Sequence, residues 1–338
     1  KNPWQYVLLG VGLLATIVVT VYVTRLARKA LKETALNNPE PSPARPAARS
    51  ETAPASRSMS TLIVAASVLA VLAACAELNK GRLGSMFGPP KATLKEAYAH
   101  KPDGVTFDHS VFDMLLHKHV TEGGFVDYDG LKKDLAALDT YLASIGTADV
   151  ETLGRDERLA FLINAYNAFT LRLILDHQPL DSIKDIPSDQ RWDAKRWAVA
   201  GDTYSLNQIE HELIRPKFAE PRVHFALVCA AVGCPPLRAE AFTGARLEEQ
   251  LTDQTRYVHT HPRWFQLNEP KGELALTALY DWYGGDFTQH ASSVSAFAAQ
   301  YSPELVRLIN AGNEPRVTFL DYSWKLNSVA NRELADSQ

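Results

Sequence analysis

Chemistry-bearing residues are densest between Arg222 and Arg238, in the run Arg-Val-His-Phe-Ala-Leu-Val-Cys-Ala-Ala-Val-Gly-Cys-Pro-Pro-Leu-Arg. His224 sits inside an apolar stretch that ends in two thiols, Cys229 and Cys234. A thiol attacks carbonyl carbon only as the thiolate, so it needs a base, or donors that lower its pKa. Cys234 is read as a candidate nucleophile, with His224 or His211 as base and Glu210 or Asn167 orienting that base. Rival readings are a Cys229–Cys234 disulfide and two free thiols, one of them buried and inert. A disulfide needs α-carbons roughly 4.4–6.8 Å apart, which a turn through Val232-Gly233 permits and an extended chain forbids. Zinc binding by Cys229, Cys234, His211 and His224 is set aside because the spacing matches no standard finger, so no metal or other cofactor is expected.

Three elements have to position these groups. The run from Val223 to Val228 predicts a strand that delivers a thiol to its end. Residues 156–177 predict a helix that is apolar on every side, as a helix surrounded by protein must be. Its polar members Asn164, Tyr166, Asn167 and Arg172 then need buried partners: the asparagines either bond loop backbone or line a site. Asn164 and Tyr166, with Arg222 and Arg238, make up the candidate substrate-binding set. Ser205-Leu-Asn-Gln208 is a capping box opening a third element that Pro216 ends. In that helix Glu210 falls within the arc of Leu206, Ile209, Leu213 and Ile214, with His211 to the side. A carboxylate so placed is either salt-bridged, with Arg222 available, or raised in pKa and useful for proton transfer.

The remaining pattern predicts helices at 111–120, 131–145, 243–258 and 303–311, hairpins at 197–204 and 264–276, and a last strand from Val317. The class is α+β, mostly helical with a small antiparallel sheet, preceded by two hydrophobic membrane segments.

The first such segment lies in residues 1–36. Asn2 to Thr24 carry no charge and suffice to cross a bilayer core of roughly 30 Å. Arg25, Arg28, Lys29 and Lys32 then hold the following chain on the cytoplasmic side. Residues 37–58 are a Pro/Ala-rich linker. Residues 59–78 form either a second transmembrane helix or a lipoprotein-type signal, since Leu72-Ala-Ala-Cys75 resembles the lipobox of bacterial lipoproteins and makes Cys75 the lipidation candidate. A tether at 79–100 leads to a globular domain over 101–332, expected on the periplasmic or extracellular side. The 338-residue chain has a formal net charge of −4 and no basic run interleaved with aromatics, so nucleic acid is not an expected partner. The expected partners are the membrane and an envelope ligand or protein.

Four blocks in order, Phe161-Leu-Ile-Asn-Ala-Tyr-Asn-Ala168, Ser205-Leu-Asn-Gln-Ile-Glu-His211, Arg222–Cys229 with Gly233-Cys-Pro-Pro-Leu237, and Tyr322-Ser-Trp-Lys-Leu-Asn327, resemble the domain of unknown function 547 family over roughly residues 107–328. Ser323 stands where that family's last block carries an acidic residue. Residues 1–36 resemble the end of a SNARE-associated (DedA-like) membrane protein. Neither resemblance implies a reaction. The Cys/His pair points to a hydrolase or acyl-transfer enzyme, and the bland reading of each residue to a non-catalytic envelope module that binds or supports.

Overall fold

The structure, a computed structural model, describes residues 89–100 and 104–333. The expected hydrophobic segments at 1–36 and 59–78, the linker between them and Cys75 lie outside the described residues. Helix α1 (Ser110–His119) turns Phe112, Leu115 and Leu116 inward. The single helix expected over 131–145 is two, α2 (Tyr128–Lys133) and α3 (Leu135–Gly146), because the backbone leaves helical geometry at Asp134. The Asp134 carboxylate takes both Lys118 and His119, each at 2.6 Å, which ties that corner to α1.

Helix α4 (Arg155–His177) is the axis of the larger core, with 18 of its 23 residues buried. It is long and apolar enough to cross a membrane, yet 89% of its most apolar window is enclosed by protein, as its all-round apolarity required. After the short helix α5 (Ser188–Arg191), strands β1 (Trp197–Val199) and β2 (Asp202–Tyr204) form the expected hairpin. Its turn holds Ala200 and Gly201 at φ 52° and 89°, the left-handed pair that matches strand twist.

The capping box at Ser205 is present and opens α6 (Leu206–Gln208), but the helix then widens into a π-turn, Ile209–Ile214. The predicted strand at 223–228 is instead a short helix, α7 (Val223–Ala226), followed by extended chain at Leu227. An apolar run buried on all sides reads alike as helix or strand, and here side chains meet its backbone where a neighbouring strand would have done. Asn167 Nδ2 donates to Ala226 O (3.0 Å), Val228 N–H donates to Asn167 Oδ1 (3.0 Å), and Gln254 Nε2 donates to Phe225 O (2.9 Å).

Helix α8 (Leu247–Thr260) leads to β3 (Phe265–Asn268) and β4 (Glu273–Leu276), the second expected hairpin. Short helices α9 (Leu279–Trp282), α10 (Gly284–Phe287) and α11 (Val294–Ala299) precede α12 (Pro303–Asn310), which starts at the Ser302 cap. The final strand β5 (Arg316–Phe319) joins β4 in parallel, so the three-stranded sheet is mixed. The class is α+β as expected, with a second, smaller core where Trp264, Tyr280, Phe287, Phe297 and Leu305 pack on the sheet side. Part of the segment read as a tether is docked on the domain: Ala97 N–H reaches Lys217 O, and Gln289 bonds Leu94 N and Ala92 O.

Candidate functional site

Beyond α7 the chain makes the turn that brings the two cysteines together. Ala230, buried, is held at φ 56°, a conformation that costs a non-glycine residue about 1–2 kcal/mol and persists only where its surroundings impose it. Cys234 N–H closes on Ala231 O, and the segment 323–327 runs alongside, with Val232 N–H on Lys325 O and Gly233 N–H on Ser323 O, both 2.8 Å. Gly233 has to be glycine here, since a Cβ would lie 2.7 Å from Ser323 N. The first and last halves of the site thus meet through backbone.

Both cysteines are free thiols. The backbone N–H of Cys229 donates to Cys234 Sγ at 3.3 Å, and Tyr322 Oη lies 2.8 Å from Cys229 Sγ. Cys229 is pushed well above the ordinary thiol value because its S–H donates to Cys234, and burial adds to this. For Cys234 burial works upward, but hydrogen bonds from the Cys229 thiol and N–H and from Tyr322 outweigh it and hold its pKa below the ordinary value. Of the pair, Cys234 is therefore the thiol that loses its proton first, with Cys229 as donor to the thiolate that forms. Cys229 is partly exposed and Cys234 is buried.

Around the thiols stand Tyr128, Tyr166 and Tyr322, all with hydroxyls raised far above their usual pKa, first by burial and then by charge at the site. Tyr166 projects from α4 into the field of Glu210 as well as of the thiols. Glu210 is 6% exposed, and among the described residues its Oε1 has no hydrogen-bond partner, with His211 Nδ1 3.7 Å away. Burial works to raise this carboxyl, but the fields of His211 and His224, the Tyr283 hydroxyl and Arg215 hold it below its ordinary range. Its charge in turn works to raise both thiols.

Behind Glu210 lies a second cluster. Arg215 grips both oxygens of Asp286 (2.7 and 3.0 Å), and His224 Nε2 lies 2.8 Å from Asp286 Oδ2. Burial alone would raise Asp286; His224 and Arg215 bring it down to about 2. The His224 ring stacks on Tyr283 at 3.8 Å. Arg215 Nη1 also lies 3.0 Å from His211 Nδ1, and a guanidinium only donates, so the neutral His211 ring carries its proton on Nε2. Burial, joined by the charges of Arg215 and His224, pushes His211 below its ordinary value despite Glu210.

The sequence-predicted residues therefore divide into three groups. Cys229, Cys234, Glu210 and Tyr166 converge, and His211 and His224 stand behind Glu210 with no hydrogen bond from either ring to a thiol. Asn164 and Asn167 spend their amides on backbone, Asn164 on both Phe242 N (3.0 Å) and Phe242 O (2.7 Å). Arg222 is not the partner of Glu210: it pairs with Glu220 (2.6 Å) and Glu248 (2.7 Å). Arg238 is held by Glu240 and by Gln250 O. Among the described residues no cluster of three or more His, Cys, Asp or Glu is arranged to hold a metal.

Sequence reasoning missed Arg215, Tyr283, Asp286 and Tyr322 as members of the site. Residues five apart on an α-helix point roughly 140° from each other, so Arg215 gives no sign of joining Glu210. The π-turn changes this, with Arg215 N–H bonded to Glu210 O five residues back. Asp286 is 62 positions from His224 and no local pattern links them.

A mostly helical α+β domain with a pair of thiols, one buried and one partly exposed, beside a buried carboxylate is the class that fold and site define. Residues 150–257 match the model of the family described as Protein of unknown function, DUF547. That stretch contains three of the four sequence blocks on which the resemblance rests, and the Tyr322 block lies beyond it. No curated protein and no solved structure matches the chain.

Proposed function

We propose that this is a membrane-anchored envelope protein whose globular domain is a thiol-dependent hydrolase or acyl-transfer enzyme. The observation that carries this is the relay Tyr322–Cys229–Cys234, in which the fixed Cys229 N–H supports a thiolate on Cys234. Cys229 is the sulfur open to a substrate. It attacks a carbonyl carbon as its proton passes to Cys234. The carbonyl–leaving-group bond breaks as Cys234 hands that proton to the leaving group, which leaves an acyl thioester on Cys229 and the thiolate on Cys234. Water or an acceptor then displaces the acyl group from Cys229, with Glu210 as base through its unbonded oxygen. His224 and His211 are held by Asp286 and Arg215 behind Glu210, and Arg215 and the Tyr283 hydroxyl work to keep Glu210 ionised. Anchoring rests on the uncharged segments at 2–24 and 60–76 with the basic residues between them.

The test is alkylation of the folded protein with iodoacetamide from pH 5 to 9, followed by peptide mapping. Cys229 should be modified first, in a single step whose rate rises with a midpoint below the ~8.5 of a free thiol. Cys234→Ser should slow that reaction at pH 7 at least tenfold. A rate that does not change with pH, or modification of Cys234 ahead of Cys229, contradicts the reading.

One observation favours a second reading. The turn at Ala230–Gly233 puts Cys229 N–H on Cys234 Sγ, so little rearrangement separates the thiols from a disulfide. In an oxidising compartment a closed bond would make the domain a non-catalytic binding or structural module. Non-reducing peptide mapping of protein taken from the envelope separates the two: a linked 229–234 peptide supports this second reading.

A further inference from the structure

The mouth of the thiol site is built from aromatic rings and two cations. Tyr322, bonded to Cys229, packs on Trp282 (ring centroids 4.8 Å apart) and on Trp324 (4.7 Å), and Trp192 meets Trp324 edge-on at 5.9 Å. All four rings are partly exposed. Lys184 Nζ sits 3.9 Å above the Trp324 ring, and Arg191 lies over Trp192 at 5.0 Å. Among the described residues neither cation is in an ion pair. Arg191 Nε donates to Ile186 O, and the nearby Asp185, whose Oδ2 accepts from the N–H groups of Asp181 and Ser182, acts on Arg191 only through its field. Lys184 feels Arg191 as a like charge and Cys229 as an opposite one, so the cations and the thiols share one locality.

Trp192, Tyr322 and Trp324 pack with one side on the larger core and Trp282 on the smaller, and each leaves part of its surface to solvent. Partly exposed aromatic rings beside two cations suit a ligand with both a face and a negative charge. The Tyr322 ring is inclined 47° to Trp282 and 51° to Trp324, and Trp192 is inclined 60° to Trp324. Trp282 and Trp324 are nearly parallel (20°), but their centroids are 5.9 Å apart, less than the roughly 7 Å that a flat ring stacked between them would need. The four rings make a shallow bowl rather than the parallel slot that a flat aromatic ligand fills. A puckered sugar ring offers axial C–H groups to several tilted faces at once, and a carboxylate on it would meet Lys184 and Arg191.

We infer that the bowl of Trp192, Trp282, Tyr322 and Trp324, with Lys184 and Arg191, is a subsite for a carboxylated sugar ring. This rests on the proposed thiol-dependent reaction only for its position beside Cys229; binding at the bowl needs no reaction. It names the substrate class as an acidic glycan with its acyl or ester group held over the thiol.

The test uses the full chain in nanodiscs and follows intrinsic tryptophan fluorescence during titration with trigalacturonate, its methyl ester and benzoate. Trigalacturonate should quench saturably, and the neutral ester should bind at least tenfold more weakly. The exposed double variant Lys184→Met/Arg191→Gln should weaken trigalacturonate at least tenfold and leave the ester unchanged. Cys229→Ala should bind trigalacturonate within twofold of the unaltered chain, so loss of the thiol reaction and loss of the subsite are read separately. Absence of quenching by trigalacturonate, equal affinity for acid and ester, an unaffected double variant, or benzoate binding as tightly as trigalacturonate would each overturn the inference.

Discussion

His224 Nε2 lies 2.8 Å from Asp286 Oδ2, and the same carboxylate is clasped on both oxygens by Arg215, so one buried acid holds both side chains in place. Arg215 and Asp286 are 2% and 3% exposed at the side chain. Removing one member of such a pair leaves its partner charged and unpaired in the interior. Arg215→Met should therefore destabilise the domain by about 3–5 kcal/mol, measured by urea denaturation. Because Asp286 is depressed from 3.8 to about 2, its contribution is complete above about pH 4 and is lost as pH falls through 2. In Asp286→Asn the acid transition should lose that component, which unfolding curves between pH 2 and 5 would register.

Tyr322→Phe removes the hydroxyl 2.8 Å from Cys229 Sγ and leaves the ring in the aromatic mouth. The same hydroxyl works to lower the pKa of Cys234, so without it the thiolate midpoint should rise. Thiolate absorbance near ~240 nm, read against pH, reports it. An unchanged midpoint would show that Tyr322 does not support the charge.

Glu210→Gln separates a field effect from a structural one. The Glu210 charge works to raise both thiols, so its removal should lower their midpoint by about one pH unit and speed alkylation at neutral pH. If Glu210 also serves as the base in release of the acyl group, turnover should fall while alkylation rises. Parallel loss of both would point to misfolding, which a melting curve detects.

Asn164→Leu and Asn167→Leu each strand two buried backbone groups and should each cost about 2–5 kcal/mol. Their effects on the thiols should differ. Asn167 fixes Val228, the residue before Cys229, so only its replacement should also change the alkylation rate. Equal rates in the two variants would argue that the Val228 bond does not position Cys229.

Much of the fold was legible because it follows from local rules. The burial of α4 was written in apolar residues on all of its faces, the Ser205 cap in its four-residue box, and both hairpins in alternating runs around turn residues. The buried asparagines also announced themselves, since an amide inside such a helix has to find partners. Val223–Ala226 was not legible as a helix, because an apolar run has no period to read and its backbone partners come from Asn167 and Gln254, far along the chain.

The sequence alone determined which groups could react: two thiols, two histidines and a carboxylate within 25 residues, since residue identity sets intrinsic pKa and nucleophilicity. Only the tertiary structure decided which of them meet. The π-turn brings Arg215 round to Glu210 and His211, Asp286 arrives from 62 positions away to take His224, and Tyr322 arrives from 93 positions away to take Cys229. The strained turn at Ala230 then sets Cys229 against Cys234. Burial and hydrogen bonding, which shift a pKa most, are made by residues distant in the chain, and that is why the charge on Cys234 could not be read from its neighbours.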